Sequence, residues 1–110
     1  MHLVSPHTGL YQQTYMIQLR EAEDSGRMSY ILDDSKREIG HLTFTIAPGQ
    51  IAIAEHTVVD PSYQGLGFAG DLATAFFSYC IELGLRVRPL CPYIATYLRR
   101  HPELQDMVVE

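Results

Sequence analysis

The sequence predicts one α/β domain of the α+β kind, a mixed and mostly antiparallel sheet with helices packed on it. Three observations support this. Strand-like segments joined by short turns fill the first half, a glycine-rich loop then leads into the clearest amphipathic helix, and a short strand and second helix follow. At 110 residues, 46% of them hydrophobic, the chain suffices for one compact core but not for the two halves of a full dinucleotide-binding domain.

Residues 1–10 carry Pro6 and Gly9 without periodicity and read as a poorly ordered lead-in to a single domain spanning 1–110. "TYMIQLREAE" fits a short strand or a helical turn, and "GRMSYILDD" a strand ended by Asp33-Asp34. In "REIGHLTFTI", Leu42, Phe44 and Ile46 alternate with His41, Thr43 and Thr45, the period of a half-buried strand, and "APGQ" supplies the turn after it. "IAIAEHTVV" reads as a regular strand with Ile51, Ile53, Glu55, Thr57 and Val59 on one face and Ala52, Ala54, His56 and Val58 on the other, both largely buried. In "GDLATAFFSYCIELG", Leu72, Phe76, Cys80 and Leu83 recur at helical spacing, and Gly84 suits the position just past the helix end. "LRVRPLC" is a short strand, reached by one crossover that sets a parallel pair. "PYIATYLRRH" is a helix with Pro92 at its tolerated first position and arginines in its last turn; Pro102 stops it, and "DMVV" fits a closing strand.

Composition narrows the function. The opening "MHLVSPHTGLYQQ" lacks the basic flank and apolar block of a signal peptide, and no apolar run is long enough to cross a bilayer, so the chain reads as a soluble cytoplasmic protein without a membrane partner. Cys80 and Cys91 lie in apolar surroundings with no Cys-x-x-Cys or Cys/His spacing, which supports neither a disulfide framework nor a metal site. A net charge of −5 argues against nucleic acid. Arg86, Arg88, Arg99 and Arg100 nevertheless fall in an interval free of acids between Glu82 and Glu103, a locally positive region suited to a small phosphorylated ligand.

The stretch "YQGLGFAGDL" has the spacing Gly65-x-Gly67-x-x-Gly70 of a dinucleotide-binding turn. The acidic residue such a turn needs about 20 positions later is missing, and no Lys-Ser or Lys-Thr follows to make a P-loop. A simpler capacity remains: glycines at a helix N-terminus let backbone amides converge on an anion, aided by the helix dipole. A tight strand-to-helix corner is the alternative use of the same glycines. Asp71, in the first helical turn, would repel a pyrophosphate and is expected to face away.

"VVDPSYQGLGFAGDL" is similar to the acetyl-CoA-binding motif of the GNAT superfamily of N-acetyltransferases, with Gln64-Gly65-Leu66-Gly67-Phe68-Ala69 at its centre. Together with "EHTVV" and "LCPYIATYLRRHPEL", it resembles the small single-domain members from about Gly40 to Val109. The resemblance implies a splayed mixed sheet and acetyl-CoA as ligand. It places backbone amides of Gln64, Gly65, Leu66, Gly67, Phe68, Ala69 and Gly70 on the pyrophosphate, and Thr57, Val58 and Val59 along the pantetheine, with Tyr93 also at the cofactor.

Amine acetylation needs a base, donors that polarise the thioester, and an acid for the leaving thiolate. Glu55 and His56 are candidate bases, on opposite faces of a regular strand. Tyr93 and Tyr97 share one face of the last helix, and by resemblance Tyr97 is the first choice for the acid. Cys91, before Pro92 and near the helix N-cap, is a candidate nucleophile or pocket residue, with a place in the core beside Leu85 and Val87 as the alternative; Cys80 reads as core. The expected activity is N-acetyltransfer to an unidentified small-molecule or protein amine, by a monomer or homodimer. A CoA-binding regulatory or interaction module without turnover is the alternative.

Overall fold

The computed structural model describes the backbone of residues 2–8 and 14, and residues 15–32 and 36–110 with their side chains. Six strands form one sheet in chain order: β1 (His2–Thr8), β2 (Thr14–Glu21), β3 (Ser25–Leu32), β4 (Arg37–Ala47), β5 (Ile51–Val59) and β6 (Arg86–Pro89). The first five pair antiparallel, and β6 pairs parallel to β5 after a crossover through helix α1 (Phe68–Leu83). Helix α2 (Pro92–Arg99) follows β6. The predicted mixed, mostly antiparallel sheet with helices is therefore the observed architecture.

Residues 2–8, read from sequence as a lead-in, instead form an edge strand on β2. Its register shifts between Val4 and His7, so Pro6 falls in the irregularity, where its missing N–H costs no ladder bond. That irregularity is what removes the alternation. Residues 9–13 and the Asp33-Asp34 strand end lie outside the described residues. "TYMIQLREAE" resolves as strand, because its alternate residues Ile17 and Leu19 are buried.

One face of the sheet carries the core. Ile17, Leu19, Met28, Tyr30, Leu42, Phe44, Ala52, Ala54 and Val87 are buried beneath α1 and α2, with Leu72, Phe76, Phe77 and Cys80 descending from α1 and Ile94 and Leu98 from α2. Burial pushes the Cys80 thiol up to about 12, consistent with an inert core residue. Leu83, expected with this set, is exposed, because the helix has by then passed the sheet. Gly84 ends α1 at φ 68°: its N–H donates to Ile81 O and the Leu85 N–H to Cys80 O, the paired bonds of a Schellman motif. The end "DMVV" is not a strand. Residues Pro102–Met107 form a 3-10 turn, and only Val108 makes a bridge, to Val87.

The regular strand read in "IAIAEHTVV" is interrupted. Thr43 pairs with His56 but Phe44 with Ala54, so Glu55 is an extra residue without a partner on β4. This β-bulge reverses the alternation. Ala52 and Ala54 share the core face with Thr57 and Val59, whereas Ile53, His56 and Val58 share the other, and Val58 is 50% exposed rather than buried.

Gly26 is required by packing. A Cβ there would lie 2.2 Å from the Phe44 ring, which is itself held against Phe76 and Tyr79. Gly26→Ala is expected to lower stability by ~1–3 kcal/mol from overpacking, read from the urea midpoint at unchanged m-value.

Candidate functional site

The site begins where β5 and β6 part. Their ladder ends at Ala54↔Pro89, and the Ala54 carbonyl then accepts from both the Leu90 and Cys91 amides, at 3.1 and 2.9 Å. Beyond this point β5 continues from Glu55 to Val59 with β4 on one side and, among the described residues, no strand on the other, while the chain from β6 turns into α2. The splay the resemblance implied is present, but it lies beside the edge strand rather than at the centre of the sheet.

Cys91 occupies the α2 N-cap position, as its place before Pro92 suggested, but its side chain does not cap the helix. It is 2% exposed, and its thiol donates to Thr57 Oγ1 at 3.4 Å. The bulge made this pairing possible by turning Thr57 onto the helix side. His56 and Val58 lie on the opposite face, and Glu55, as the bulged residue, is half exposed beside His56. The structure therefore brings Cys91 and Thr57 together, but neither Glu55 nor His56 with them.

Past Val59, a 3-10 turn over Pro61–Tyr63 is capped by Asp60, whose carboxylate accepts from the Ser62 amide and from Arg37. Those hydrogen bonds hold the Asp60 carboxyl below its ordinary value. Gly65 and Gly67 then adopt φ 81° and 89°, left-handed conformations that glycine supplies without steric cost. Gly67 is the N-cap of α1. Among the described residues the amides of Gly65, Leu66, Gly67, Ala69 and Gly70 have no backbone acceptor, and Gly65, Gly67, Ala69 and Gly70 line a groove of about 230 Å³ together with Val59, Tyr63, Gln64, Phe68 and Tyr93.

Two side chains of the loop, whose backbone amides are the part expected at a ligand, serve the scaffold. Gln64 Nε2 donates to Val59 O at 3.0 Å, tying the loop to the strand end. The Phe68 side chain is buried and stacks on Tyr30 at 4.5 Å, with Tyr15 and Tyr63 around it, so only its backbone faces the loop. Leu66 is exposed. Asp71 is accounted for: Tyr30 Oη donates to its Oδ2 at 2.9 Å. Burial and this carboxylate both push the Tyr30 phenol far above its ordinary value, so the proton stays on Tyr30 and the bond stays made.

A second groove, about 290 Å³, adjoins the first and is lined by Gly67, Gly70, Asp71, Thr74, Tyr93, Thr96, Tyr97, Arg100 and His101, so Asp71, expected to face away, borders it. Tyr93, Thr96, Tyr97 and Arg100 are spaced as one helical face, a polar stripe legible in the sequence but not read there. Thr74 Oγ1 donates its one hydrogen to Gly70 O, so Tyr97 Oη, 2.9 Å away, donates to Thr74. The Tyr97 ring is sandwiched between Phe77 and His101, at 5.5 and 3.9 Å. Tyr97 is thus a wall of this outer groove with its proton engaged. Tyr93 lines both grooves; burial first, and then Tyr97, raise its phenol, which keeps its proton at neutral pH. Of the four arginines in the acid-free interval, Arg100 lines this groove, whereas Arg86 and Arg88 stand on the opposite sheet face.

Among the described residues no group of three or more His, Cys, Asp or Glu side chains could hold a metal, and no helix is long and apolar enough to cross a membrane.

Residues 16–107 match the family model described as GCN5-related N-acetyl-transferase. A comparison with curated protein sequences finds no match. Among solved structures, the chain is similar to a GCN5-like protein from Staphylococcus aureus, with 17% identity and TM-score 0.58 over 84% of this chain and 87% of that one. It is also similar to an aminoglycoside acetyltransferase from an uncultured soil metagenomic sample, in complex with sisomicin (16%, TM-score 0.58, covering 82% and 62%). A third is AAC(6')-Iy in complex with the bisubstrate analogue CoA-S-monomethyl-acetylneamine (19%, TM-score 0.53, covering 76% and 62%). The chain spans less than two thirds of the length of these last two.

The glycines separate by role. Gly67→Ala forces a Cβ into a left-handed conformation and is expected to cost roughly 1–2 kcal/mol. Gly70 lies inside α1 with ordinary space around it, the nearest atom being Tyr93 Oη at 3.6 Å. Gly70→Ala is expected to leave stability unchanged or raise it by up to ~1 kcal/mol, measured by the same urea titration.

Proposed function

The chain belongs to the GCN5-related N-acetyltransferase family, and on that premise we propose that it binds acetyl-CoA along the two adjoining grooves and transfers the acetyl group to an amine. The observation that carries this reading is the succession, among the described residues, of a strand edge that no other strand pairs and a run of loop amides without a backbone acceptor. The free edge of β5 from Glu55 to Val59 leads directly into the open amides of the Gly65 to Gly70 loop. An extended arm with amide groups suits the first, and a pyrophosphate the second, at the positive end of α1.

In this reading Thr57, Val58 and Val59 run along the pantetheine, and the amides of Gly65, Gly67, Ala69 and Gly70 hold the pyrophosphate, the Gln64 amide being turned to Pro61 O. Thr74, Thr96, Arg100 and His101 form the polar end for the nucleotide portion. Asp71 does not oppose the phosphates at full strength, because its carboxylate is bound to Tyr30. The thioester supplies the acetyl group: the acceptor ammonium gives one proton to a base, the neutral nitrogen forms the new C–N bond as the C–S bond breaks, and the second proton it then sheds balances the one a donor on the helix side passes to the departing sulfur.

The chain's own residues divide these tasks by face. His56 is exposed on the open side of the splay, where an acceptor amine would arrive, and is the proposed base, with Glu55 beside it. On the helix side, Tyr93 retains its proton and is a better donor than Tyr97, whose proton is engaged by Thr74. Cys91 lines the thioester pocket, its thiol held by Thr57. Direct transfer in a ternary complex is the proposed route.

At a ligand concentration about a hundredfold above Kd, acetyl-CoA and CoA are each expected to raise Tm by roughly 10 °C while NAD does not. Gly70→Ala, although at least as stable as the parent, is expected to lose most of that rise because its methyl group enters the phosphate-facing loop. No shift with either CoA species would refute the ligand assignment. Intact mass after incubation with acetyl-CoA alone is expected to remain unmodified; an acetyl adduct abolished by Cys91→Ser would instead establish a covalent route.

A further inference from the structure

The sheet face opposite the helices is uncovered among the described residues, and its charge is opposite to that of the whole chain. By register it carries Arg20, Arg27, Thr43 and His56 across one row from β2 to β5, then Ser25, Thr45, Ile53 and Arg88 across the next, from β3 to β6, with Arg86 beyond. His41 pairs with Ser29 in the row on the other side. Its acids are Glu38 and the bulged Glu55. Glu38 is neutralised locally: Arg27 donates to both its oxygens at 3.0 and 2.7 Å and Ser29 Oγ donates at 2.6 Å. Burial alone would raise the Glu38 carboxyl, but these bonds prevail and hold it below its ordinary value. Among the described residues Arg20, Arg86 and Arg88 have no side-chain hydrogen-bond or ion-pair partner. Three uncompensated guanidinium groups thus stand on one face of a protein of net charge −5.

This face is also the open approach to the splay, since α1 and α2 cover the other. Val58 and Leu90, 50% and 64% exposed, lie beside the approach with His56. A groove of about 330 Å³ at the far end is lined by Arg20, Glu21, Ser25, Arg27 and Thr43, the Glu21 carboxylate accepting from Tyr79 Oη.

We propose that the acceptor is a polypeptide whose amine is flanked by acidic residues, laid across this face so that its carboxylates meet Arg20, Arg86 and Arg88 while the amine enters at His56. This rests on the acetyl-transfer reading for the role of the amine, but not for the binding itself. Charge complementarity of this kind selects partners chiefly by favouring one sign and repelling the other. A short acidic segment can lie on the patch, whereas a long polyanion would extend over the acidic remainder of the surface. A lysine-rich segment would meet repulsion along the whole approach.

The test uses the full chain without cofactor, and C-terminally labelled peptides with one central lysine flanked by Glu, Gln or Lys, read by fluorescence anisotropy. The Glu peptide is expected to bind about tenfold or more tightly than the Gln peptide, the Lys peptide weakest, with the preference shrinking between about 50 and about 300 mM salt. The triple variant Arg20→Gln/Arg86→Gln/Arg88→Gln should lose the preference while keeping the parent Tm and its response to acetyl-CoA. Equal or absent binding of the three peptides would overturn the proposal, as would a preference unchanged in the variant. A single-stranded oligonucleotide bound more tightly than the Glu peptide through the same arginines would also overturn it. Failure of the acetyl-CoA shift alone would instead count against the cofactor reading.

Discussion

The Ala54 carbonyl is the point on which the site depends. By accepting from both Leu90 and Cys91 it ends the parallel ladder abruptly, and one residue later the bulge at Glu55 rotates the rest of β5. The two events together leave a strand edge without a neighbour and turn Thr57 to meet Cys91. A regular strand would have placed His56 on the helix side and Thr57 away from it, closing the helix-side pocket with an imidazole. The extra residue therefore decides which side chains face the helices and which face the open approach.

The glycine loop is held by side-chain contacts that leave its open amides unused. Phe68 inserts under Tyr63 and over Tyr30, Tyr30 grips Asp71 at the start of α1, and Gln64 returns to Val59. Each of these converts a flexible corner into a fixed one, so that the amides are already aimed before anything binds. Preorganisation of this sort lowers the ordering cost that binding would otherwise bear.

Much of this was legible in the sequence where a residue's chemistry fixes local geometry. The glycine loop, the α1 stop at Gly84, the alternation of β4 and the N-cap position of Cys91 all follow from backbone rules acting over a few residues. The bulge was not legible, because Glu55 obeys the alternating pattern as well as its neighbours do and only the pairing with β4 reveals the insertion. Likewise Phe68 looks like part of a binding motif until Tyr30, distant in sequence, is placed beneath it. The acid-free interval was real but divided: strand parity sent Arg86 and Arg88 to one face, while Arg100 went to the α2 groove.

An unpaired strand edge is also a risk to the protein that carries it. The segment from Thr57 to Val59 is β-branched throughout, and its outward N–H and C=O groups offer a ready template for a strand of another molecule. Between episodes of ligand occupancy, the residues that could pair with pantetheine could equally pair with a neighbouring copy. A cofactor lying along this edge would therefore act as a solubility factor as well as a substrate, and depletion of CoA would be felt first as self-association.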